Sequence, residues 1–484
     1  RFFEALSSNQ INVVMITQAS SEFSICIAIN SNDAQLAKQV IDKEFEFEIS
    51  QKKINHSLIE SSLSNIAIVG DNMKSKEGVS GKLFSTLGNN NINIRAIAQG
   101  ASERNISIII DEKDNVKALN SLHEAFFENN CKSVHLFITG VGNVGSNLIK
   151  QIHGQKKSLE ENLSLKLKVM GLSNSKKMIL SETEIDLNNW ESKLDSSEIK
   201  SDNDKFLNFS IKQNLRNSLF IDNTANSDIT INYNSYLKNG IGIVTCNKIA
   251  CSDKLEKYLE LKSLSKNHNA PFLYETNVGA ALPIIDTLNN LINSGDKITK
   301  IEAVLSGTLN YIFNNFNKEN SFYEVVKKAV ELGYTEPDPK IDLCGIDVSR
   351  KILILARESG KEIEFSDVQN KSFLPNESVK TKSKEEFLDS LKNNNDHFEE
   401  ILNKALKNKS RLKYVASLID GKASVGLMEV SAEHPFYNLE GSDNITVFYT
   451  DRYKDSPLVV KGAGAGGEFT ASGVFADIIK ASKK

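Results

Sequence analysis

A Gly-x-Gly-x-x-Gly motif is the first feature of the sequence that predicts chemistry. Its positions are Gly140, Val141, Gly142, Asn143, Val144 and Gly145. The motif joins the apolar run 134–138 to a helical pattern, so the first glycine permits a tight turn, the second lets backbone approach a pyrophosphate, and the third allows close packing of helix on strand. The helix N-terminus would offer unpaired N–H groups to phosphates. We expect a dinucleotide site; a structural glycine turn is the alternative.

The ends of the following strands carry polar residues. Where an acidic side chain usually holds the ribose of NAD, the sequence has Ser175, Lys176 and Lys177. These lysines suit the extra phosphate of NADP(H), with a solvated loop as the alternative and NAD(H) as a second cofactor. Two later strands lead to Thr224 and Lys248, at the carboxyl edge where such sheets place ligands.

Asp347 and Lys351 lie four residues apart on a predicted helix and therefore share one face. The simplest interpretation is a surface ion pair, worth about 0.3–0.5 kcal/mol. A lysine ammonium can also stabilise negative charge that develops on oxygen and supply a proton. Glu336 lies in a Pro-rich loop, where a carboxylate is either solvated or bound to a substrate ammonium. The residues alone leave both alternatives open.

Length and composition limit the kinds of protein that can present these residues. A chain of 484 residues exceeds one ordinary core, so we expect two to four domains. The net charge is -4, without a basic stripe, so we expect no nucleic-acid partner. No apolar run reaches transmembrane length, so we expect no membrane contact. The 5 cysteines are scattered without CxxC spacing, which favours a reducing cytoplasm.

A repeat occupies the first 130 residues. The segment 11–22 returns at 92–103, which places Gln18 and Gln99 at equivalent positions 81 residues apart. Each copy alternates apolar and polar residues like a half-buried strand, breaks at small residues and resumes as a second strand, from Phe23 in the first copy. Helical patterns flank the second hairpin, so its predicted order is βαββα. The first copy lacks its opening strand.

Several motifs together resemble a known family. The sequences FLYETNVGAALP at 272–283, LSGTLNYI at 305–312 and GYTEPDP at 333–339 look like successive homoserine dehydrogenase signatures, continued by DLCGIDVSRK at 342–351 and closed by GAGAGG at 462–467. The repeat resembles paired ACT domains, with a signature similar to that of threonine-regulated aspartate kinases. The chain thus resembles the C-terminal part of the bifunctional aspartate kinase/homoserine dehydrogenases. It begins at Arg1, so we expect a fragment without the upstream kinase.

The resemblance implies roles for individual residues. It implies that Lys351, Lys248 and Asp347 are catalytic. It implies substrate contacts from Gly333, Glu336, Asp342 and Asp347. It implies cofactor contacts from all six residues of the glycine motif and from Ser175, Lys176, Thr224, Lys248 and Gly464. It implies a sodium or other monovalent cation held by Glu275 and the carbonyl oxygens of Val278, Ala280 and Leu282; the alternative is that Glu275 simply ends a strand.

The resemblance also implies regulation and assembly. Gln18 and Gln99 would contact threonine as an allosteric effector, unless they are merely polar residues of hairpin loops. A homo-oligomer, dimer or tetramer, is expected, in the cytoplasm, or in a plastid if a transit peptide precedes Arg1. Two positions depart from the family: Ile249 stands where a second lysine is usual, and Gly467 where asparagine is common.

The predicted fold class is α/β, with tandem ACT domains, a Rossmann-like domain, and an α/β substrate and dimerisation domain. The expected boundaries are a first ACT domain at 1–55, a second at 60–130, a nucleotide-binding domain at 133–275, a catalytic domain at 276–455, and a segment at 456–484 that returns to the nucleotide-binding domain. In that last segment we expect a helix from Thr470 to Ile479. Residues 371–411 look like an exposed insertion around helices.

The predicted reaction is NAD(P)H-dependent reduction of aspartate semialdehyde to homoserine, with Lys351 or Lys248 donating the proton. One alternative is aspartate semialdehyde dehydrogenase, which needs a cysteine nucleophile; Cys246 and Cys251 are its candidates. The other is a threonine sensor with an inert dehydrogenase half.

Overall fold

The computed structural model describes residues 1–18, 24–70, 73, 76–100, 104–127 and 131–483. These residues form two compact units. The first unit comprises Arg1–Lys132 and Asn214–Arg216, and the second contains the rest.

The first unit contains two antiparallel hairpins with helices beside them. Strands β1 and β2 pair alone, and β5 pairs with both β3 and β4 in the order β3-β5-β4. Alternation of apolar and polar residues along β4 turns one face toward a core that includes Leu83, Leu87 and Ile108. The elements are α1 (Phe2–Ser8), β1 (Val13–Thr17), β2 (Cys26–Ile29), α2 (Ala34–Glu44), α3 (Glu46–Ser50), β3 (Leu63–Val69), α4 (Val79–Asn89), β4 (Ile94–Gln99), β5 (Asn105–Asp111) and α5 (Asn115–Phe127).

This order confirms both predicted hairpins and the βαββα arrangement of the second copy. The repeat positions 19–22 and 101–103, and the predicted strand start at Phe23, lie outside the described residues.

The second unit opens with a mostly parallel six-stranded sheet in the order β11-β10-β9-β6-β7-β8. Strands β6, β9, β10 and β11 run parallel, and β8 is antiparallel to β7. Since β9 is buried at every residue, it is covered on both faces, as parallel strands usually are. The elements are β6 (Lys132–Thr139), α6 (Asn143–Leu163), β7 (Leu165–Ser173), β8 (Met178–Leu180), α7 (Trp190–Ser196), α8 (Asn203–Gln213), β9 (Ser218–Asp222), α9 (Ser227–Thr230), α10 (Tyr233–Lys238), β10 (Gly242–Thr245), α11 (Ile249–Ser252), α12 (Leu255–Asn267) and β11 (Phe272–Leu273).

A second six-stranded sheet follows, in the order β13-β15-β14-β12-β16-β17. Its central strand β12 is antiparallel to both neighbours, and β13 alone is parallel to its neighbour. The elements are α13 (Thr276–Gly279), α14 (Ile284–Asn293), β12 (Ile298–Val304), α15 (Gly307–Asn315), α16 (Phe322–Glu331), α17 (Pro339–Leu343), α18 (Ile346–Glu358), β13 (Gln369–Lys371), α19 (Asn376–Lys380), α20 (Lys384–Asn393), α21 (Asn395–Lys407), β14 (Arg411–Ile419), β15 (Lys422–Val430), β16 (Asn444–Thr450), β17 (Leu458–Gly462) and α22 (Gly467–Ser482).

Two helices determine how the site is built. Helix α18 packs on β14 and β15, and it is buried along most of its length because its apolar residues face the sheet while its C-terminal part also packs on α11 and α14. Helix α22 covers the predicted helical segment Thr470–Ile479, and its apolar residues share a core with Leu148 and Ile152 of α6. Helix α22 therefore packs on α6 and on β10 of the mostly parallel sheet. The proposed domain boundaries stay a prediction.

The expectation that residues 371–411 form an exposed insertion is wrong for their apolar positions. Phe387 and Phe398 are buried, and the Phe398 ring stacks on Phe322 with 4.1 Å between centroids. Helices α20 and α21 are amphipathic: their apolar residues are buried, and their many charged residues, which led to the prediction of an exposed segment, lie on the other face. Across the described residues, the helices are all too short or too polar to cross a bilayer.

Candidate active site

The glycine motif forms the turn between β6 and α6. Gly140 has a φ of +86°, a left-handed conformation that favours glycine, and its N–H donates to the Ser173 carbonyl at the end of β7. A Cβ on Gly145 would overlap the Gly140 carbonyl oxygen, so only glycine lets α6 start this close to the turn. Gly142 is the N-cap of α6. The strand-turn-helix arrangement predicted for a dinucleotide site is confirmed.

The other predicted cofactor residues lie around this turn or at neighbouring strand ends. A Cβ on Gly140 would lie 2.6 Å from the Thr224 side-chain methyl, which places Thr224 directly against the turn. Val141 is buried and Val144 half-buried, while Asn143 is exposed. Ser175 and Lys176 follow β7 and are exposed. Gly464 lies against Asn444, whose amide donates to the Gly464 carbonyl at 3.4 Å.

Gly467, a departure from the family pattern, lies against the same turn. A Cβ at Gly467 would overlap the side-chain oxygen of Asn143, so a side chain at position 467 would require the exposed Asn143 side chain to move. In this chain the asparagine on the glycine motif occupies the space that a side chain on the closing segment would need. Ile249, the second departure, is the first residue of α11 and is half-buried.

Lys248, Asp347 and Lys351 come together as one cluster. Lys248 is the N-cap of α11, just after β10, while the other two lie on the first turns of α18. The Asp347 carboxylate lies 2.9 Å from the Lys351 Nζ and 3.3 Å from the Lys248 Nζ. The Lys351 ammonium also donates to the Leu305 carbonyl at 2.6 Å. The cluster therefore joins two parts of the chain that lie about 100 residues apart in sequence.

Burial and charge set the proton affinities of this cluster. Lys351 is only 8% exposed, and burial lowers its pKa against the opposing effect of the Asp347 carboxylate. Burial acts to raise the pKa of Asp347, but the two lysines outweigh it and hold that pKa well below its usual range. Asp347 is therefore ionised at neutral pH, and Lys351 is a better acid than an ordinary lysine.

A buried polar network supports the segment that carries Lys248. Asp222, at the end of β9, accepts from the Tyr233 hydroxyl at 2.7 Å and from the Asn247 amide at 3.0 Å. The Asn247 N–H donates to the Thr245 hydroxyl at 2.9 Å, and the Ile249 N–H donates to the Asn247 side chain at 3.1 Å. This network was not predicted from the sequence, although Asp222 ends a predicted strand, a position where such networks can form.

Of the predicted substrate residues, Gly333 and Glu336 lie between α16 and α17, Asp342 lies on α17, and Asp347 lies on α18. The Asp342 carboxylate accepts from the Glu336 N–H at 2.8 Å and from the Thr308 hydroxyl at 3.4 Å. Burial raises the pKa of Asp342, and the charges of Glu336 and Asp347 raise it further. Glu336 is exposed, and Gly333 has a φ of +73° at the turn after α16. Thr308 belongs to the LSGTLNYI motif, but its contact with Asp342 was not predicted from the sequence.

Glu275 caps α14 from within the core. Its two carboxylate oxygens accept from the N–H groups of Ile285 and Asp286, each at 2.7 Å, and its own N–H donates to Asp477 at 3.0 Å. Burial, followed by the Asp286 charge, raises the pKa of Glu275 to about 8. Val278 and Ala280 are buried and Leu282 half-buried. Within the described residues, no group of three or more His, Cys, Asp or Glu side chains is placed to hold a metal.

The predicted effector residues belong to the first unit. Gln99 ends β4 and Gln18 follows β1, and both are exposed.

The cysteines give little support to a thiol nucleophile. Burial raises the pKa of Cys246 to about 12, and it also raises the pKa of the fully buried Cys251. Both thiols are therefore protonated at neutral pH, whereas a nucleophilic cysteine needs its thiolate.

Comparison with known proteins places these features in context. The family model for homoserine dehydrogenase matches residues 283–479, that for the homoserine dehydrogenase NAD-binding domain matches 140–275, and an ACT domain model matches 1–45 and 66–126. Homoserine dehydrogenase from Schizosaccharomyces pombe is 38% identical over 72% of this chain and 95% of its own length.

Two further relatives extend the comparison. The chloroplastic bifunctional aspartokinase/homoserine dehydrogenase 1 of Zea mays is 40% identical over 99% of this chain and 52% of its own length, so the chain spans about half the length of such curated relatives. A hyperthermophilic archaeal homoserine dehydrogenase mutant solved with NADPH is 26% identical, with a TM-score of 0.57 over 73% of this chain and 98% of that one.

Proposed function

Because the chain belongs to the homoserine dehydrogenase family, we propose that it catalyses the reversible NAD(P)H-dependent reduction of L-aspartate 4-semialdehyde to L-homoserine. The observation that carries this proposal is the cluster of Lys248, Asp347 and Lys351 in the same unit as the glycine turn. Carbonyl reduction requires a site for the dinucleotide and a proton donor, and a buried lysine with a lowered pKa can donate the proton.

Lys351 is the proposed proton donor. When bound, the reduced nicotinamide supplies a hydride to the aldehyde carbon. The carbonyl π electrons then move to oxygen, and the Lys351 ammonium transfers a proton to that oxygen, which leaves an alcohol and a neutral amine. Asp347 and the Leu305 carbonyl hold the Lys351 Nζ in place. Lys248, whose side chain is 31% exposed, stabilises the negative charge as it develops.

The amino-acid end of the substrate is proposed to bind at Glu336 and Asp342. Two carboxylates meet here, since the Glu336 backbone is held by the Asp342 side chain. Partial burial, and then the negative charges of Glu336 and Asp347, raise the pKa of Asp342. A substrate ammonium would relieve this repulsion, and the left-handed Gly333 shapes the adjoining turn.

For the cofactor we propose NADP(H) as the preferred form. Lys176 is exposed at the carboxyl end of β7, next to the turn that would hold the phosphates. An ammonium there favours a 2′-phosphate, so Lys176→Ala should raise the KM for NADPH while leaving the KM for NADH nearly unchanged. Equal effects on both cofactors would contradict the preference.

A sodium or similar monovalent cation is proposed beside Glu275, with carbonyl oxygens of Val278, Ala280 and Leu282 as further ligands. Oxygen ligands suit a hard cation. The support is buried negative charge: burial and the Asp286 charge raise the pKa of Glu275, and burial also raises the pKa of Asp477. The cation would offset this charge where β11 joins α14. The test is a rise in thermal midpoint with sodium over tetramethylammonium at equal ionic strength, absent in Glu275→Gln.

The regulatory and whole-protein functions are also proposals. Gln18 and Gln99 are proposed to contact threonine as an effector, since both are exposed at equivalent strand ends in an ACT region. The full-length protein is proposed to add aspartate kinase activity and to form a homo-oligomer. Its proposed location is the cytoplasm, or a plastid as in the chloroplastic relative. Threonine titration of a protein that includes the upstream part is the direct test.

The deciding experiment follows the absorbance decay of NADPH with aspartate semialdehyde. We expect turnover in the wild type, a loss of at least about 100-fold in Lys351→Met, and normal turnover in Lys257→Met, a matched surface lysine paired with Asp253. Threonine binding without NADPH oxidation would instead favour the sensor. Phosphate-dependent turnover lost in Cys246→Ala would favour the semialdehyde dehydrogenase.

A further inference from the structure

The cluster of Lys248, Asp347 and Lys351 is assembled from two helices that are distant in sequence. Lys248 caps α11, whereas Asp347 and Lys351 lie on α18. The Lys248–Asp347 ion pair spans 3.3 Å, but the Asp347 side chain is 45% exposed. Exposed pairs contribute only about 0–1 kcal/mol. The ion pair alone is therefore too weak to keep the two helices in register.

Arg357, near the end of α18, makes the contacts that do so. Its side chain is fully buried, and its guanidinium donates to the Cys251 carbonyl of α11 at 2.9 Å. Cys251 lies three residues after Lys248 on the same short helix. The guanidinium also donates to the Ile363 carbonyl at 3.1 Å and pairs with Glu364 at 3.2 Å. The rigid fork of an arginine can satisfy all three acceptors at once, and a lysine cannot.

On this basis we propose that Arg357 is a positioning residue, which sets the distance from Lys248 to Asp347 and Lys351 by tying α11 to α18. The inference rests on the proposed dehydrogenase function. Arg357 touches neither catalytic side chain, so it acts through the backbone of α11.

The geometry makes the site sensitive to this contact. Ten residues of α18 separate Asp347 from Arg357, about 15 Å along the helix axis. A rotation of about 4° at the Arg357 end would therefore move Asp347 by about 1 Å. Misplacement on that scale can cost a catalytic site up to about 100-fold in rate.

Loss of the hydrogen bond from Arg357 to the Cys251 carbonyl should change the pKa of Lys351 in a predictable direction. Asp347 and Lys351 share α18 and would stay together, while Lys248 would move away from both. The groups that act on the proton affinity of Lys351 are Asp347 on its own helix, Lys248 before α11, and Asp342 on α17. Removing the nearby positive charge of Lys248 raises the affinity of Lys351 for its proton. The alkaline limb of the kcat profile should then shift to higher pH.

The test compares Arg357→Lys with Lys262→Met in the full chain. Lys262 pairs with Glu358 at 3.1 Å, next to Arg357 on α18, and its ammonium also donates to the Tyr274 hydroxyl at 3.0 Å. We expect Arg357→Lys to lower kcat by about 10- to 100-fold with an unchanged KM for NADPH and an upward shift of the alkaline limb. Lys262→Met should lower the unfolding midpoint without moving the limb.

Each outcome decides the inference. An unmoved limb in a folded Arg357→Lys protein overturns it, whatever the loss of stability. If that variant does not fold, Glu364→Gln should give a smaller upward shift, and no shift overturns the idea. If the wild type shows no turnover, the proposed function fails; the pH dependence of Lys351 acylation, read by mass spectrometry in wild type and variant, then tests Arg357 independently.

Discussion

Replacing Asp347 by asparagine tests whether this carboxylate sets the proton affinity of Lys351. The change keeps the shape of the side chain and removes its charge, which leaves Lys351 facing Lys248 without a counter-ion. Loss of a neighbouring negative charge and exposure to a like charge both lower the pKa of a lysine. In the direction of aldehyde reduction, where Lys351 must be protonated, the alkaline limb of kcat should therefore move to lower pH.

The distance between the two groups gives the magnitude. At 2.9 Å, Coulomb's law gives about 1.4 kcal/mol at a dielectric constant of 80 and about 5.7 kcal/mol at 20. Because the Asp347 side chain is 45% exposed, solvent screening keeps the effect near the smaller value. About 1.4 kcal/mol corresponds to roughly one pH unit. We expect a downward shift of about that size, so that kcat falls by up to about tenfold at pH values above the limb.

The assay is the initial rate of NADPH oxidation between pH 6 and 10 at saturating aspartate semialdehyde. Glu161→Gln is the matched control, since the Glu161 carboxylate also pairs with a lysine four residues away, and both side chains of that pair are exposed. That variant should keep the wild-type profile. An unmoved or upward-shifted limb in Asp347→Asn would refute the reasoning that this ion pair controls Lys351.

Three other predictions concern the rest of the site. Gly145→Ala forces a methyl into the Gly140 carbonyl and should weaken NADPH binding by at least about tenfold, as measured by fluorescence titration; unaltered affinity would contradict the close packing of the turn. The pKa of Glu275 is raised to about 8, so without sodium the folded state holds an extra proton between about pH 4 and 8. The thermal midpoint of the wild type should therefore fall as pH rises through that window. In Glu275→Gln the thermal midpoint should depend less on pH. Cys246→Ala should retain wild-type turnover, because a thiol with a pKa of about 12 is not a nucleophile at neutral pH.

Local patterns were enough to predict several elements. The apolar run, glycine turn and helix at Gly140 appear as predicted, since strand and helix periodicities are written into neighbouring residues. The two hairpins of the repeat followed from alternation and from the 81-residue offset. Asp347 and Lys351 were placed on one helix face by their spacing, and the 2.9 Å ion pair is what that spacing allows.

Local patterns failed where polarity and burial are decided by distant packing. Residues 371–411 are rich in charged residues, yet Phe373, Phe387 and Phe398 are buried, and the Phe398 ring stacks on Phe322. The cation at Glu275 stays a prediction, whereas the structure shows the two carboxylate oxygens accepting from the backbone N–H groups of Ile285 and Asp286. The sequence near Glu275 does not predict that the Ile285 and Asp286 N–H groups, about ten residues later, donate to its carboxylate.

The sequence by itself determined the types of element, the dinucleotide turn and the residues able to transfer a proton, because these depend on side-chain chemistry and on spacing within a few residues. Only the tertiary structure decided which of these groups meet. Lys248 reaches Asp347 because sheet order and helix packing bring α11 against α18, and Arg357 joins the same helices through a backbone carbonyl. Backbone carbonyls are identical in every residue, so no sequence pattern marks the one that a distant side chain will bind.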